Sequence, residues 1–324
     1  QMAARNEAVV DNEWDVIVLD EAQAIKNAGT AQAKRIKALR KRVGIAMTGT
    51  PIENDLMNLH SIFSFLNPGL LGPAESFRRL ARGDGGSQFS ELRRAISPFI
   101  LRRVKTDRSI IPDLPEKLEN DVMVSLGKEQ IVLYRNIVSG LEGAPSASSS
   151  FEEKGMLLRT LLRLKQVCNH PAQLLGDGDY SVERSGKFLA LRDLARTLAD
   201  NRERVLVFTQ FGTMIPPLDD LLYPVFGKRG LTISGETSER QRAERVELFQ
   251  GGEIPYMVLS LKAAGVGLNL TAASSVIHFD RWWNPAVENQ ATDRAFRIGQ
   301  ERNVSVYRFV TADTIEERIS EMLS

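Results

Sequence analysis

Four short segments combine residue types able to do chemistry on a phosphoryl group. Asp20-Glu21-Ala22-Gln23 closes the apolar run Trp14–Glu21. An aspartate at a strand end can hold a magnesium ion on nucleotide phosphates, and a neighbouring glutamate can orient an attacking water. A helix N-cap uses the same residue types, so the tetrapeptide alone leaves two readings open. Thr48-Gly49-Thr50-Pro51 follows a second apolar run. Its hydroxyls could relay the state of a neighbouring phosphate site, or the segment is a plain turn ending in proline.

The third segment runs from Ser260 to Leu270 and places Lys262, Gly265, Gly267 and Asn269 after an apolar run. Glycines there let backbone N–H groups approach a phosphate, with the lysine as a point charge. The order is not G-x-x-x-x-G-K-[ST], so a phosphodiester backbone fits better than a nucleotide. The fourth segment runs from Asn289 to Gln300. Arg294 and Arg297 stand three apart, which on a helix puts both guanidinium groups on one face. Paired arginines suit a transferring phosphoryl group, and a solvated face is the alternative.

These segments need a scaffold. At 324 residues, with about 150 residues per domain as a prior, two domains are expected. The 43% hydrophobic and 26% charged fractions are those of a globular chain. No apolar run reaches the roughly 18 residues of a membrane helix, and no leader opens the sequence, so a cytoplasmic location is expected. Cys168 stands alone, which excludes a disulfide framework and a cysteine-based zinc cluster. His60, His170 and His278 are too scattered for a metal set. A net charge of +1 gives no global sign of nucleic acid, so any such contact must be a local patch.

Trp14–Glu21 and Val43–Met47 read as buried parallel strands around a helix at 30–42. Asp55 to about Ser97 is helical, followed by a basic amphipathic stretch with Arg93, Arg94, Arg102, Arg103, Lys105 and Arg108. Leu118–Leu126 is one more strand, and Gly143–Ser150 a loop tip within a helical insert. From Ser185 a second α/β pattern begins, with Lys187–Asn201 a helix. Val205–Thr209, Leu231–Ser234, Tyr256–Ser260, Val276–Asp280 and Val304–Phe309 are its strands. The fold class is therefore α/β, with two parallel-sheet domains and helical insertions.

The order D-E-A-Q, T-G-T-P, F-T-Q-F, a glycine-rich strand exit and Q-x-x-D-R-x-x-R-I-G-Q resembles the SWI/SNF-type helicase-like ATPases of helicase superfamily 2. Pro98–Lys105 with Leu114-Pro115-Glu116-Lys117 extends the resemblance, as do Leu164–Pro171, Ser185-Gly186-Lys187 and Asp280–Pro285. It covers the chain from about Trp14 to Glu317. The resemblance implies two RecA-like lobes that close on ATP and walk along duplex DNA without separating its strands. Residues 1–55 and 114–126 would form the C-terminal part of lobe 1, incomplete at its N-terminal side. Residues 56–113 would form a first helical insertion, and 127–184 a second insertion with the interlobe linker. Lobe 2 would span 185–311, with a C-terminal helix at 312–324.

By similarity, Asp20 would hold Mg2+ and Glu21 would polarise the hydrolytic water. Arg294 and Arg297 would be arginine fingers, and Gln290 would help position the γ-phosphate. Gln23, Thr48, Thr50 and Gly267 would couple nucleotide state to movement, with Gln23 standing where most members carry histidine. Gln210, Lys262, Asn269 and Trp283 would contact DNA, through sequence-independent backbone contacts. Thr48 would also touch a backbone phosphate. Trp282 is expected in the core, and Cys168 and His170 are expected to be structural. Phe296, where eukaryotic members carry histidine, points to bacterial or archaeal relatives.

Gln1 precedes the first strand-like run almost at once, so the chain reads as a fragment without the family's phosphate-binding loop. On that reading it hydrolyses ATP poorly alone, while its parent is a DNA-dependent ATPase acting on DNA-bound proteins. A non-hydrolysing nucleic-acid-binding module, a strand-separating helicase and a metal-dependent nuclease are the rival readings.

Overall fold

Strands β1 (Glu13–Leu19) and β2 (Arg40–Ala46) run parallel, with Glu13 opposite Arg40 and Leu19 opposite Ala46. They belong to the first of two units, residues 1–104 and 105–324, in a computed structural model. The structure describes residues 12–49, 55–82, 86–103, 114–142, 151–264 and 267–323.

In the first unit, helix α1 (Ala31–Lys37) starts where the Thr30 hydroxyl accepts the Ala33 N–H at 3.2 Å. The helix stops earlier than its composition suggests, and Arg40, Lys41 and Arg42 enter β2 instead. Their register sets them beside the acidic start of β1, with Arg42 Nε 3.2 Å from Asp15 Oδ1. Ile17 and Leu19 pack with Ile25, Ala33, Ile36, Phe65 and Leu66. The opposite sheet face carries Val16, Val18, Val43 and Ile45, all exposed. Both strands were expected to be buried on both faces. Their composition suits that, but among the described residues only one face is covered. Helices α2 (Met57–Leu66), α3 (Ala74–Arg82) and α4 (Gly86–Ile96) follow, as the helical reading of 55–97 anticipated.

The second unit is built on a six-stranded parallel sheet of order β3-β8-β7-β4-β6-β5. Its strands are β3 (Lys117–Val124), β4 (Val205–Thr209), β5 (Leu231–Ile233), β6 (Tyr256–Ser260), β7 (Ser275–His278) and β8 (Val304–Thr311). Each central strand alternates between two cores. Leu206, Phe208, Met257, Leu259 and Val276 point to one, and Val205, Val207, Tyr256, Val258 and Ile277 to the other. Burial on both faces explains why β4, β6 and β7 read as continuous apolar runs. The helices are α5 (Lys128–Glu142), α6 (Phe151–Asn169), α7 (Pro171–Leu175), α8 (Gly186–Asp200), α9 (Ile215–Phe226), α10 (Glu239–Gln250), α11 (Leu261–Ala264), α12 (Pro285–Thr292) and α13 (Ile315–Leu323). No helix among the described residues is long and apolar enough to cross a membrane.

Residues 114–126, expected with the first lobe, fall within the second unit. Strand β3 pairs with β8 along its whole length, from Lys117 opposite Val304 to Val124 opposite Thr311. Arg308 on β8 bonds Glu119 at 2.6 Å, and Val122 packs against a core of the second unit. Helices α5 and α6 also belong to this unit. Gln130 Nε2 donates to the Val167 and Cys168 carbonyls at 2.6 and 3.2 Å, while its Oε1 accepts the Gly127 and Gly186 N–H groups. The loop tip at 143–150 lies outside the described residues.

His278 in β7 is fully buried, stacked on Phe208 and bonded through Nε2 to Thr292 Oγ1 at 2.8 Å. Burial, with Arg308 and Arg281 nearby, lowers its pKa from 6.5 to about 3, against weaker pull from Glu119. The unfolded chain therefore takes up this proton first. The neutral ring's contribution is complete above 6.5 and is lost as pH falls from there to about 3. Linkage gives a loss of about 2 kcal/mol between pH 7 and 5. In urea unfolding at both pH values, His278→Asn should lose that much less stability than the parent chain. An equal pH response in the two proteins would refute the assignment.

Candidate functional site

In the first unit, the C-terminal end of β1 presents Asp20 and Glu21. The exits of β1 and β2 are clamped together, with Met47 N–H on Leu19 O at 2.8 Å and Ala22 N–H on Met47 O at 2.9 Å. Asp20 is exposed and its Oδ1 accepts the Glu21 N–H at 2.9 Å. Glu21 sits in the left-handed region (φ 49°, ψ 51°), uncommon for a residue with a side chain. It leads only a four-residue 3₁₀ turn, Ala22–Ile25, and makes no side-chain cap bond to it. The helix-cap reading is thereby excluded for Glu21.

The Glu21 carboxylate is engaged sideways instead. Gln23 Nε2 donates to Glu21 Oε2 at 2.5 Å, and Thr48 Oγ1 donates to Gln23 Oε1 at 2.7 Å. One amide thus joins the D-E-A-Q and T-G-T-P segments. An open depression of about 530 Å³ beside them is lined by Val16, Val18, Asp20, Glu21 and Ala24, among others. The oxygen donors here suit a magnesium ion, which takes one or two carboxylates and draws its other ligands from phosphates and water. Thr50 lies outside the described residues.

In the second unit, the candidate residues follow the C-terminal ends of β4, β6 and β7, where α/β sheets place ligands. Gln210 follows β4, Lys262 follows β6 on α11, and Trp283 follows β7. Asp280, fully buried, holds two of these exits. It accepts Thr209 Oγ1–H at 2.6 Å, the Gln210 N–H at 2.8 Å and Asn169 Nδ2 at 3.2 Å. Burial raises the Asp280 pKa, opposed by Lys165 and Lys187. Gln210 Nε2 is buried without a partner among the described residues, a donor left over for a ligand.

Lys165, fully buried on α6, donates to the Arg281 carbonyl, and its ammonium lies 5.2 Å from the Trp283 ring centre. Burial lowers the Lys165 pKa. Trp282 packs against the core as expected, while Trp283 is 38% exposed. Glu288 of α12 accepts Arg281 Nε at 3.2 Å and the Trp282 N–H at 2.6 Å, fixing the loop between them. Asn284 caps α12 by accepting the Ala286 N–H at 3.0 Å.

Lys262, Gly267 and Asn269 are exposed, and Gly267 has φ 30°. Helix α11 packs against α12, which carries Gln290. The Leu270 N–H bonds the Arg294 carbonyl at 2.9 Å, so the glycine-rich exit and the arginine segment are joined.

Arg294 and Arg297 do not share a helix face. Helix α12 ends at Thr292, and the chain then turns so that Ala295 and Phe296 enter the core. Arg294 is buried at 8% exposure, whereas Arg297 is exposed. Gln300 braces the turn. Its Nε2 reaches the Ala273, Thr271 and Ala295 carbonyls at 2.8, 3.0 and 3.1 Å, and its Oε1 accepts the Arg302 N–H at 2.9 Å. Sequence reasoning assigned Gln300 no role. A long polar side chain ending a core-bound segment was the available signal.

Other residues left without a role form a buried frame. Lys187 donates to Glu316 at 2.7 Å, to the Phe279 carbonyl at 2.9 Å and to Asn169 Oδ1 at 3.2 Å. Gly186 is required beside it, since a Cβ there would lie 2.0 Å from the Ser125 carbonyl oxygen. His170 caps α7 through Nδ1, which accepts the Ala172 N–H at 3.1 Å, and its Nε2 donates to Ser181 O at 3.1 Å. Cys168 is buried, which raises its thiol pKa to about 12. Both have the structural environment expected of them.

Residues 2–173 match the family described as SNF2-related domain, and residues 186–299 match the helicase conserved C-terminal domain. The chain is 44% identical over 317 residues to a putative ATP-dependent helicase/translocase, YwqA, of Bacillus subtilis, covering 96% of this chain and 34% of that protein. It is 34% identical to the ISWI chromatin-remodeling complex ATPase ISW2 of Saccharomyces cerevisiae, covering 95% of this chain and 29% of that protein. It thus spans about a third of the length of these curated relatives. Among solved structures, the Sulfolobus solfataricus SWI2/SNF2 ATPase core in complex with dsDNA is 42% identical, with a TM-score of 0.59 over 99% of this chain and 69% of that one. With two parallel-sheet units, the motif residues at strand exits and a family match over more than half of its 324 residues, the chain belongs to the SNF2-related family.

Proposed function

We propose that the full-length protein is a DNA-dependent ATPase motor that translocates on double-stranded DNA and displaces or remodels bound proteins. The Glu21–Gln23–Thr48 relay carries this reading. A module that only binds nucleic acid has no use for a strained glutamate at a strand exit, wired to the neighbouring exit. In this reading Asp20 holds Mg2+ on the nucleotide phosphates. Glu21 orients the attacking water, and Gln23 and Thr48, with Thr50, report the phosphate's departure to the β2 exit. Arg294, Arg297, Gln290 and Gly267 act in ATP turnover, while Gln210, Lys262, Asn269 and Trp283 contact DNA. ATP supplies the phosphoryl chemistry when bound. The 324 residues contain no G-x-x-x-x-G-K-[ST] loop, so the chain alone is proposed to turn over ATP poorly or not at all.

Steady-state ATP turnover of the full-length protein, with and without duplex DNA, tests this. Glu21→Gln should cut turnover about 10²–10⁴-fold, the usual worth of a positioned base, while leaving duplex affinity intact. A wild-type protein that binds duplex but never turns over ATP would leave only a binding module. Release of a paired strand or nicking in the same reactions would instead favour a helicase or a nuclease.

A further inference from the structure

The net charge of +1 conceals an uneven distribution. Residues 1–104 carry fifteen Lys and Arg against eleven Asp and Glu, a net of +4, and the rest of the chain carries −3. The whole surplus of the first unit falls in residues 56–104, where seven arginines face only Glu75, Asp84 and Glu91. None of these cations is lysine. Arginine presents a planar fork that meets phosphate with two parallel bonds and is less strongly hydrated than an ammonium, so it suits phosphate contact.

Geometry gathers them on one scaffold. Helix α3 docks on α2 through His60 and Phe77, whose rings are 5.1 Å apart. The 3₁₀ turn Ser97–Phe99 docks on the same helix, with Phe99 against Phe63 at 6.5 Å edge to face. His60 and Phe63 are about one helical turn apart, so both elements dock on the same face of α2. Arg78 and Arg79 lie on α3, Arg93 and Arg94 on α4, and Arg102 and Arg103 beyond the turn; all six are exposed. None pairs with a described carboxylate, and among their side chains only that of Arg79 makes a bond to a described residue, to Ser76 Oγ at 3.4 Å. Six arginines on about fifty residues, none paired with a described carboxylate, raise the local positive potential, and duplex DNA offers a phosphate every few ångströms.

We infer that the first helical insertion is a second duplex-binding surface, in which Arg93, Arg94, Arg102 and Arg103 contact backbone phosphates apart from the motif residues of the sheet units. The inference rests on DNA being the partner in the proposed function, but it is read by binding and not by ATP turnover. Fluorescence anisotropy of a labelled duplex, titrated with the 324-residue chain over a range of salt, provides the test. Arg93→Gln, Arg94→Gln, Arg102→Gln and Arg103→Gln together should weaken binding by at least about tenfold at 0.1 M salt. The slope of log affinity against log salt should flatten by about three to four, at ~0.9 per phosphate contact. Lysine at the four positions should restore most of the slope, and circular dichroism should show an unchanged fold. A Lys262→Ala, Trp283→Ala chain should lose affinity independently, so that combining the two sets multiplies the losses. Unchanged affinity and slope in the glutamine variant would overturn the inference. So would a wild-type chain that does not bind duplex at low salt, or one that binds polyglutamate in preference to duplex. Loss of DNA-stimulated turnover with this binding intact would count against the motor and not against the surface.

Discussion

Replacing Arg297 by alanine in the full-length protein should lower DNA-stimulated ATP turnover by roughly 10³–10⁵-fold, the range for removal of an arginine that stabilises a transferring phosphoryl group. Arg297 is exposed on a turn fixed from behind by Gln300 and by the buried Ala295 and Phe296. Its guanidinium is therefore presented on a rigid base and does not support the fold. Duplex affinity and the urea midpoint should be unchanged. Lysine should rescue little, because a point charge cannot reproduce the two-pronged contact. Arg294 should behave differently. It is buried at 8% exposure, so Arg294→Ala should lower stability as well as turnover. Steady-state kinetics beside urea melts separate the two. A loss of less than tenfold for Arg297→Ala would mean that this residue does not touch the reacting phosphoryl group.

The second large effect is on stability. Lys187 and Glu316 form an ion pair at 2.7 Å with both side chains fully buried. Glu316 also accepts the Thr311 N–H and hydroxyl at 3.1 and 2.9 Å. Glu316→Ala leaves a buried ammonium whose remaining hydrogen-bond acceptors are a carbonyl and an amide oxygen, and should cost about 3–5 kcal/mol. Lys187→Met alone should cost a similar amount by orphaning the carboxylate. The double variant Lys187→Met, Glu316→Leu should recover much of the loss, since apolar groups of similar volume can replace a buried pair. Urea unfolding followed by tryptophan fluorescence gives the three values. Losses that simply add in the double variant would show that the pair does not act as a unit.

Several elements could be read before any coordinates. Val205–Thr209 and Tyr256–Ser260 are uninterrupted apolar runs because both faces of their sheet are covered, and such runs announce themselves. The D-E-A-Q and T-G-T-P segments were legible as strand exits, and Gln23 makes the hydrogen bonds expected of it, to Glu21 and Thr48. Pairing was not legible. Strand β3 has a strand-like pattern of its own, but nothing local says that it will join β8 and not β2. The arginine spacing misled for a related reason. Three-residue spacing belongs to a helix only while the helix lasts, and the demand of the core for Phe296 ends it at Thr292. Lys165, Lys187 and Glu316 look like surface residues by type. Only the partners that surround them, from α6, α8 and α13, make their burial tolerable.

The pairing of β3 with β8 also sets a timetable. Glu116 and Asn303, at the start of the two strands, are joined by a hydrogen bond across 187 residues. A ribosome adding about 5–20 residues per second needs roughly 10–40 s between the two. Through that interval β3 waits without its partner strand, and β7 has an open flank where β8 will lie. Unpaired strand edges recruit other chains. A polypeptide released before residue 304 would carry two of them, so termination there should yield aggregated or degraded product and not a shortened, soluble one.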